Sequence, residues 1–178
     1  MKPIVTVLFT FGLLVTAQAQ EAIKVEVTFI EHPAAMIITK EAWQHGKALK
    51  QRGVHVLGTL VATTPSGRLA TLKAVDVRSV PSGGSPADGA NWQRKVEIGP
   101  ELRVQPTVRG DTIEFSATAT LRVFEGVRPV GDAVAASEFT SHEFYFGGNT
   151  KSGETLFLPS KSTAQKKRVT LVVTFTKV

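Results

Sequence analysis

Between Asp111 and Gly126 the residues Ile113, Phe115, Ala117, Ala119, Leu121 and Val123 occupy every second position, and the residues between them, Glu114, Ser116, Thr118, Thr120 and Arg122, are all polar. Side chains on a strand point to alternate faces, so this pattern predicts one long strand with an apolar face and a hydroxyl-rich face. An apolar run at Leu102–Val108 precedes it, and Arg109-Gly110-Asp111 joins the two with a glycine suited to the positive φ of a tight reversal. The pair reads as a hairpin. Its second arm, Asp111–Phe124, has the length of a membrane-barrel strand, but its alanines give a thin apolar face without the aromatic girdles such a barrel carries. That pattern favours a soluble or wall-like assembly over a lipid-facing barrel.

The chain opens on Met1-Lys2-Pro3, continues through the apolar stretch Ile4–Val15 and reaches Ala17-Gln18-Ala19, a small-x-small cleavage site. This is the pattern of a secretory signal peptide, and the apolar stretch is shorter than the roughly 20 residues of a spanning helix. Removal of Met1–Ala19 leaves a mature chain from Gln20, expected to form a single domain over residues 20–178 in the periplasm or at the outer membrane. The chain has no cysteine. A disulfide and a lipid-anchor site are thereby excluded, although the export route permits both, and the core alone must hold the domain. The formal net charge of +6 becomes +5 once Lys2 is removed. Such a charge serves solubility, and outside the cytoplasm it meets anionic lipid, glycan or acidic protein rather than nucleic acid.

Along the mature chain, Ile23–Ile30 alternates and is a first strand. Thr39 can N-cap a helix from Lys40 to about Arg52, stopped by Gly53, with Ala42, Trp43, Gly46 and Leu49 as its apolar stripe and Gly46 allowing close packing. Val54–Thr63 and Arg68–Val77 are strands around the turn Thr64-Pro65-Ser66-Gly67. Val80–Asn91 reads as a flexible loop, and a second loop spans Gly126–Ser137. Glu138–Phe146 and Thr155–Leu158 are strands across a Gly147–Gly153 turn, and Arg168–Lys177 is the last strand. The fold class is therefore mostly β: an antiparallel domain of about eight strands with one short covering helix. The two terminal strands, Ile23–Ile30 and Arg168–Lys177, are the candidates for open edges.

No constellation in the sequence carries chemistry, so the expectation is a non-enzyme without catalytic, cofactor-binding or metal-binding residues and without an evident small-molecule substrate. His32, His45, His55 and His142 lack metal-ligand spacing and read as solvated or hydrogen-bonded. His142 and Glu143 are adjacent on a strand and so point to opposite faces. The serines Ser82, Ser85 and Ser152 lie in loop composition rather than in a nucleophile elbow. Gly148–Thr155 has a glutamate where a phosphate loop has lysine, and a strand follows it instead of a helix. Lys166-Lys167-Arg168 is a solvated turn or a contact for anionic headgroups.

The order of segments resembles the secretin domain, the C-terminal domain of outer-membrane channel proteins of type II and type III secretion and type IV pili. Ile23–Glu31 (IKVEVTFIE) is similar to the family's opening strand. Glu41–Ala70 resembles its helix, strand and glycine reversal, and Gly99–Ile113 (GPELRVQPTVRGDTI) resembles its most recognisable hairpin. Phe139–Leu158 with Val169–Phe175 resembles its closing hairpin and final strand. Leu60 stands where the family usually has proline, and Pro159–Arg168 replaces the segment before the last strand, so the resemblance implies a minimal member. It implies a structural envelope protein that assembles with itself or with a secretion or pilus machine. The residues alone equally allow a soluble, monomeric periplasmic module that holds a glycan or protein partner on its Ser/Thr-rich faces. Intact-mass analysis of the exported protein is expected to give a chain starting at Gln20; a mass retaining Met1–Ala19 would reject both the cleavage site and the compartment.

Overall fold

The computed structural model describes residues 21–81, 93–130, 134–160 and 167–178. The leader Met1–Ala19 and most of the Val80–Asn91 loop lie outside them. Chain order is β1 (Ala22–Pro33), α1 (Lys40–Gln44), a 3₁₀ turn (Ala48–Lys50), β2 (His55–Pro65), β3 (Ala70–Lys73), β4 (Asp76–Pro81), β5 (Gln93–Arg109), β6 (Thr112–Val130), β7 (Val134–Lys151), β8 (Thr155–Pro159) and β9 (Lys167–Lys177). One four-stranded sheet runs β2-β1-β9-β8; the other runs β3-β5-β6-β7, with β4 pairing the far part of β5. Every pairing is antiparallel.

The two sheets face one another across a single apolar layer. From the first come Ile23, Val25, Val27, Phe29, Leu60, Val169, Leu171, Val173 and Phe175; from the second come Leu102, Val104, Ile113, Phe115, Ala117, Ala119, Leu121 and Phe144. These are the inward phases of the alternations, so period 2 decides which residues meet. Phe115 stacks on Phe175 with ring centroids 4.5 Å apart, and Phe29 meets Phe144 edge-on at 6.1 Å. Each such aromatic pair adds about 0.5–1.5 kcal/mol beyond area burial. Where the facing residues are Ala117 and Ala119, the sheets need no bulk between them. Gly58 does the same for Pro100: a Cβ at position 58 would lie 2.9 Å from the proline ring.

The helix is shorter than the sequence pattern predicts. Thr39 caps it as expected, its Oγ1 accepting from the Ala42 N–H at 3.2 Å, but it ends at Gln44. Gly46 sits at φ +63° with no atom near its would-be Cβ, so it terminates the helix instead of allowing close packing. Leu49 is consequently exposed, and Ala48, Val54, Ile38 and Trp43 instead cover Ile30, Val172 and Phe157 on the outer face of the first sheet.

Three further boundaries differ. The predicted strand Arg68–Val77 is two strands, because β5 bends at Gly99 (φ +125°), where a Cβ would collide with the Ala74 carbonyl, and its partner breaks there. β5 starts at Gln93, well before Leu102. β6 and β7 continue as a paired arm through most of the expected Gly126–Ser137 loop, with a bulge between Phe124 and Gly126. The β4/β5 arm touches this one, with Ser137 Oγ donating to the Pro81 carbonyl at 2.9 Å. The largest correction concerns the edges. β1 and β9 pair with one another in full register from Ile23↔Lys177 to Pro33↔Lys167 and form the middle of their sheet. The edges are β2 and β8.

Leu121 is 2% exposed inside the layer, so Leu121→Ala is expected to cost about 2–5 kcal/mol in chemical denaturation. Thr118→Ala, on the solvated face of the same strand, is expected to stay within about 0.5 kcal/mol. Equal losses would contradict the assignment of faces.

Candidate assembly edges and a polar cavity

Two short crossovers set the geometry of the flanks. Residues 66–69 carry the chain from β2 in one sheet to β3 in the other, and residues 152–154 carry it from β7 back to β8. The open edges therefore lie in stacked pairs, β2 with β3 on one flank and β7 with β8 on the other. The first crossover is bonded to both sheets: the Ser66 N–H donates to the Glu21 carbonyl (2.8 Å) and the Gly67 N–H to the Pro106 carbonyl (2.7 Å).

Along an antiparallel ladder the N–H and C=O of a residue point together, and successive residues alternate. The Ala74 N–H donates to the Pro100 carbonyl at 3.0 Å, so Leu72 and Ala74 bond to β5 while Thr71 and Lys73 face outward. Pro100 and Pro106, which have no N–H, both turn that missing donor toward the β3 side. Carried through the pairs Arg103↔Thr118 and Ala119↔Phe144, the same phase leaves Glu143, Tyr145 and Gly147 on the open edge of β7. In the other sheet, the Ser160 N–H donates to the Val169 carbonyl at 2.7 Å. Leu156 and Leu158 thus bond to β9, and Thr155 and Phe157 face outward. Thr59, Val61 and Thr63 face outward on β2 by the same alternation from the Ser66 bond. The Val172 N–H belongs to the internal β9–β1 ladder, so it is no part of a shared edge.

The flanks also differ in surface. Between β7 and β8 lies a cleft of about 350 Å³ lined by Glu143, Phe144, Tyr145, Phe146, Leu158 and Pro159. The opposite flank exposes Val61 (52%) and Leu69 (65%).

A second cavity of about 350 Å³ opens between the sheets where the apolar layer ends, lined by Glu31, Leu57, Val123, Glu125, Thr140, His142, Lys167 and Val169. Lys167 Nζ lies 2.7 Å from Glu31 Oε1, and this carboxylate raises the lysine above its usual range. His142 is 9% exposed and forms no hydrogen bond among the described residues. Burial pushes its imidazole below the ordinary value, against the opposing pull of the Glu31 and Glu125 carboxylates.

The other histidines are placed differently. His32 is buried, with Nε2 2.8 Å from Thr170 Oγ1; His45 Nδ1 bonds the Glu41 carbonyl at 2.7 Å; His55 is exposed. His142 and Glu143 do face opposite ways, one buried and one solvated. Among the described residues no group of three or more His, Cys, Asp or Glu side chains could hold a metal ion. In Gly148–Thr155, Glu154 turns back to accept from Thr150 Oγ1 (3.2 Å) and the Lys151 N–H (3.3 Å), closing a tight strand turn. Of the basic run, Lys167 is tied to Glu31, and Arg168 Nε is buried without a partner among the described residues, so the run is more than a solvated turn. The cavity leaves no motif in the sequence, because its histidine has no sequence neighbour that also lines it.

No protein-family model matches the chain, and no curated protein matches it in sequence. Solved structures do resemble its fold. The type II secretin GspD from enteropathogenic Escherichia coli aligns with a TM-score of 0.54 at 10% identity, over 89% of this chain and 69% of that one. The InvG secretin domain β-barrel from the Salmonella SPI-1 injectisome gives 0.51 at 10% identity, over 90% and 64%. PulD, in the Klebsiella pneumoniae type II secretion system outer membrane complex, gives 0.54 at 10% identity, over 89% and 40%. The chain thus spans from under half to about two-thirds of these proteins. Its fold is secretin-like: antiparallel, β-rich, with one short helix.

Because the folded pKa of His142 is depressed, the unfolded chain takes up this proton first as pH falls. The associated stability is present above the unfolded value and is lost as pH falls through the folded one. The His142 imidazole should titrate at lower pH in the folded protein than in urea by NMR, and His142→Gln should shallow the loss of stability on the acid side of neutrality. Coincident titration curves would contradict the burial of this ring.

Proposed function

We propose that this chain is an exported, non-enzymatic envelope domain, residues 20–178, that acts by assembly and extends both of its sheets into neighbouring copies at once. One observation carries this reading: each flank presents two stacked open edges whose outward N–H and C=O groups have no ladder partner among the described residues. β8 runs opposite to β2, and β7 runs opposite to β3 and β4. A β7/β8 flank set beside the β2/β3 flank of the next copy therefore pairs antiparallel in both layers. Such a contact is head-to-tail, and it makes a ring if the rotation closes. Backbone pairing of this kind needs no dedicated pocket, and Val61 and Leu69 would gain cover from Phe144, Phe146 and Leu158 in the cleft opposite.

The secretin-like fold supports the same reading. Among the structural neighbours one is described as a secretin domain β-barrel and another stands in an outer membrane complex. The partner is thus a second copy or a secretion- or pilus-type channel, at the outer membrane or in the periplasm, reached by removal of Met1–Ala19. The polar outer face of β5 and β6, with Glu101, Arg103, Ser116, Thr118 and Thr120, would line a watery surface of the assembled wall. A monomeric periplasmic binding module is the alternative from the sequence; the stacked open edges favour assembly over it.

Tyr145→Pro deletes an outward donor on β7 while leaving the β6–β7 ladder intact, and proline is tolerated on an edge strand. By mass photometry, with and without detergent, the parent protein is expected to form a discrete oligomer, and Tyr145→Pro to remain a folded monomer by circular dichroism. Phe144→Pro, whose N–H lies in the ladder, should lose the fold itself. A strict monomer for the parent at every concentration and in detergent would overturn the proposal.

A further inference from the structure

The inward phases of four strands change character in one layer. β1 runs Val25, Val27, Phe29 and then Glu31; β9, read backwards, runs Leu171, Val169 and then Lys167. β6 runs Leu121, Val123 and then Glu125, and β7, read backwards, runs Phe144, His142 and Thr140. Each strand goes from apolar to polar at the same depth while still facing the opposite sheet. Glu125 is the unpaired residue of the bulge between Phe124 and Gly126, a device that re-aims a side chain and then ends the alternation. Polar residues at positions the pattern reserves for a core mark a site rather than a packing error.

We propose that this cavity, between Glu31, Glu125 and His142, binds a primary ammonium group carried on an alkyl chain. The charge inventory favours a cation, with Glu31 half-buried and Glu125 solvent-exposed. Glu31 and Glu125 bring two carboxylates and Lys167 one ammonium, and Lys167 is committed to Glu31. Glu125 has no ion pair among the described residues. The imidazole supplies the complementary hydrogen-bonding group. His142 is 9% exposed, lines the cavity and makes no hydrogen bond among the described residues, so its ring nitrogens are free to meet a ligand there. Kept neutral by its burial, it offers a ring nitrogen that accepts an N–H, and Thr140 can accept another. Leu57, Val123 and Val169 form the apolar wall against which methylenes lie, as long cationic side chains do. The volume, about 350 Å³, lies at the small end of the roughly 300–1,000 Å³ of ligand pockets. A chain of five or six heavy atoms fits within it. An anion would meet two carboxylates and a neutral ring, and is disfavoured.

A free alkylamine and the side chain of a peptide lysine present the same group, so both are used as probes. Ligand-observed NMR titration with n-pentylamine and with Nα-acetyl-lysine methylamide should show saturable binding to the protein. Pentanoate, of similar size and opposite charge, should show none. Glu125→Gln and His142→Asn should each weaken the bound amine at least tenfold, while Glu143→Gln, on the outer face, should not. Binding of the free amine alone assigns the site to a small molecule, and tighter binding of the lysine derivative assigns it to a peptide side chain; both support the proposal. Absence of saturable binding by either probe, binding of pentanoate as strong as that of pentylamine, or full affinity in both Glu125→Gln and His142→Asn would overturn it. Oligomeric state measured alongside keeps this result separate from that of the edge-pairing proposal.

Discussion

Two sheets share one apolar layer, and every other feature of the molecule follows from how that layer is made. It is built almost wholly from strands whose inward residues fall on alternate positions, from Ile23 to Phe29, from Ile113 to Leu121 and from Val169 to Phe175. Burying a Phe, Leu, Ile or Val side chain of this kind stabilises by about 1.5–3 kcal/mol. Without disulfides, no other contribution on that scale is available to hold the sheets together. The small residues in the layer matter as much as the large ones. Ala117, Ala119 and Gly58 set how closely the walls approach, and Phe115 on Phe175 and Phe29 on Phe144 fill what remains.

Because the layer fixes the sheets face to face, the two crossovers fix their flanks. A chain that passes from β2 to β3 and from β7 to β8 through short turns must bring the edges of both sheets to the same side. The sandwich consequently ends in stacked open edges instead of isolated ones, and an open edge is a template for further strands. The helix and the segment after it cover the outer face of the first sheet, over Ile30, Val172 and Phe157. At the layer's end the same strands turn polar and bring the Glu31–Lys167 pair and His142 to one cavity.

Much of this was legible in the sequence where period and turn chemistry agreed. The long strand from Asp111, the Gly110 reversal, the Thr39 cap and the overall β class were all readable. The misses have physical causes. Gly46 was read as a packing residue inside a helix, and only its φ of +63° reveals a terminus. The Gly126 region looked like a loop because a bulge interrupts the alternation there. Sequence position suggests that terminal strands are edges, yet pairing of β1 with β9 is a long-range event that no local pattern encodes. The cavity was invisible for a related reason. Glu31, Glu125, His142 and Lys167 lie far apart in sequence, and only the shared depth of four strands brings them together.

The central claim is that both sheets continue across copies through the outward groups of β2, β3, β7 and β8. Amide hydrogen exchange measured on dilute and concentrated protein tests it at the atoms concerned. The Val61, Thr63, Tyr145 and Phe157 N–H groups are expected to exchange freely in dilute monomer and to become protected together in the assembly. The Val172 N–H, inside the β9–β1 ladder, should be protected in both. An assembly in which these edge amides still exchange at the monomer rate would contradict it.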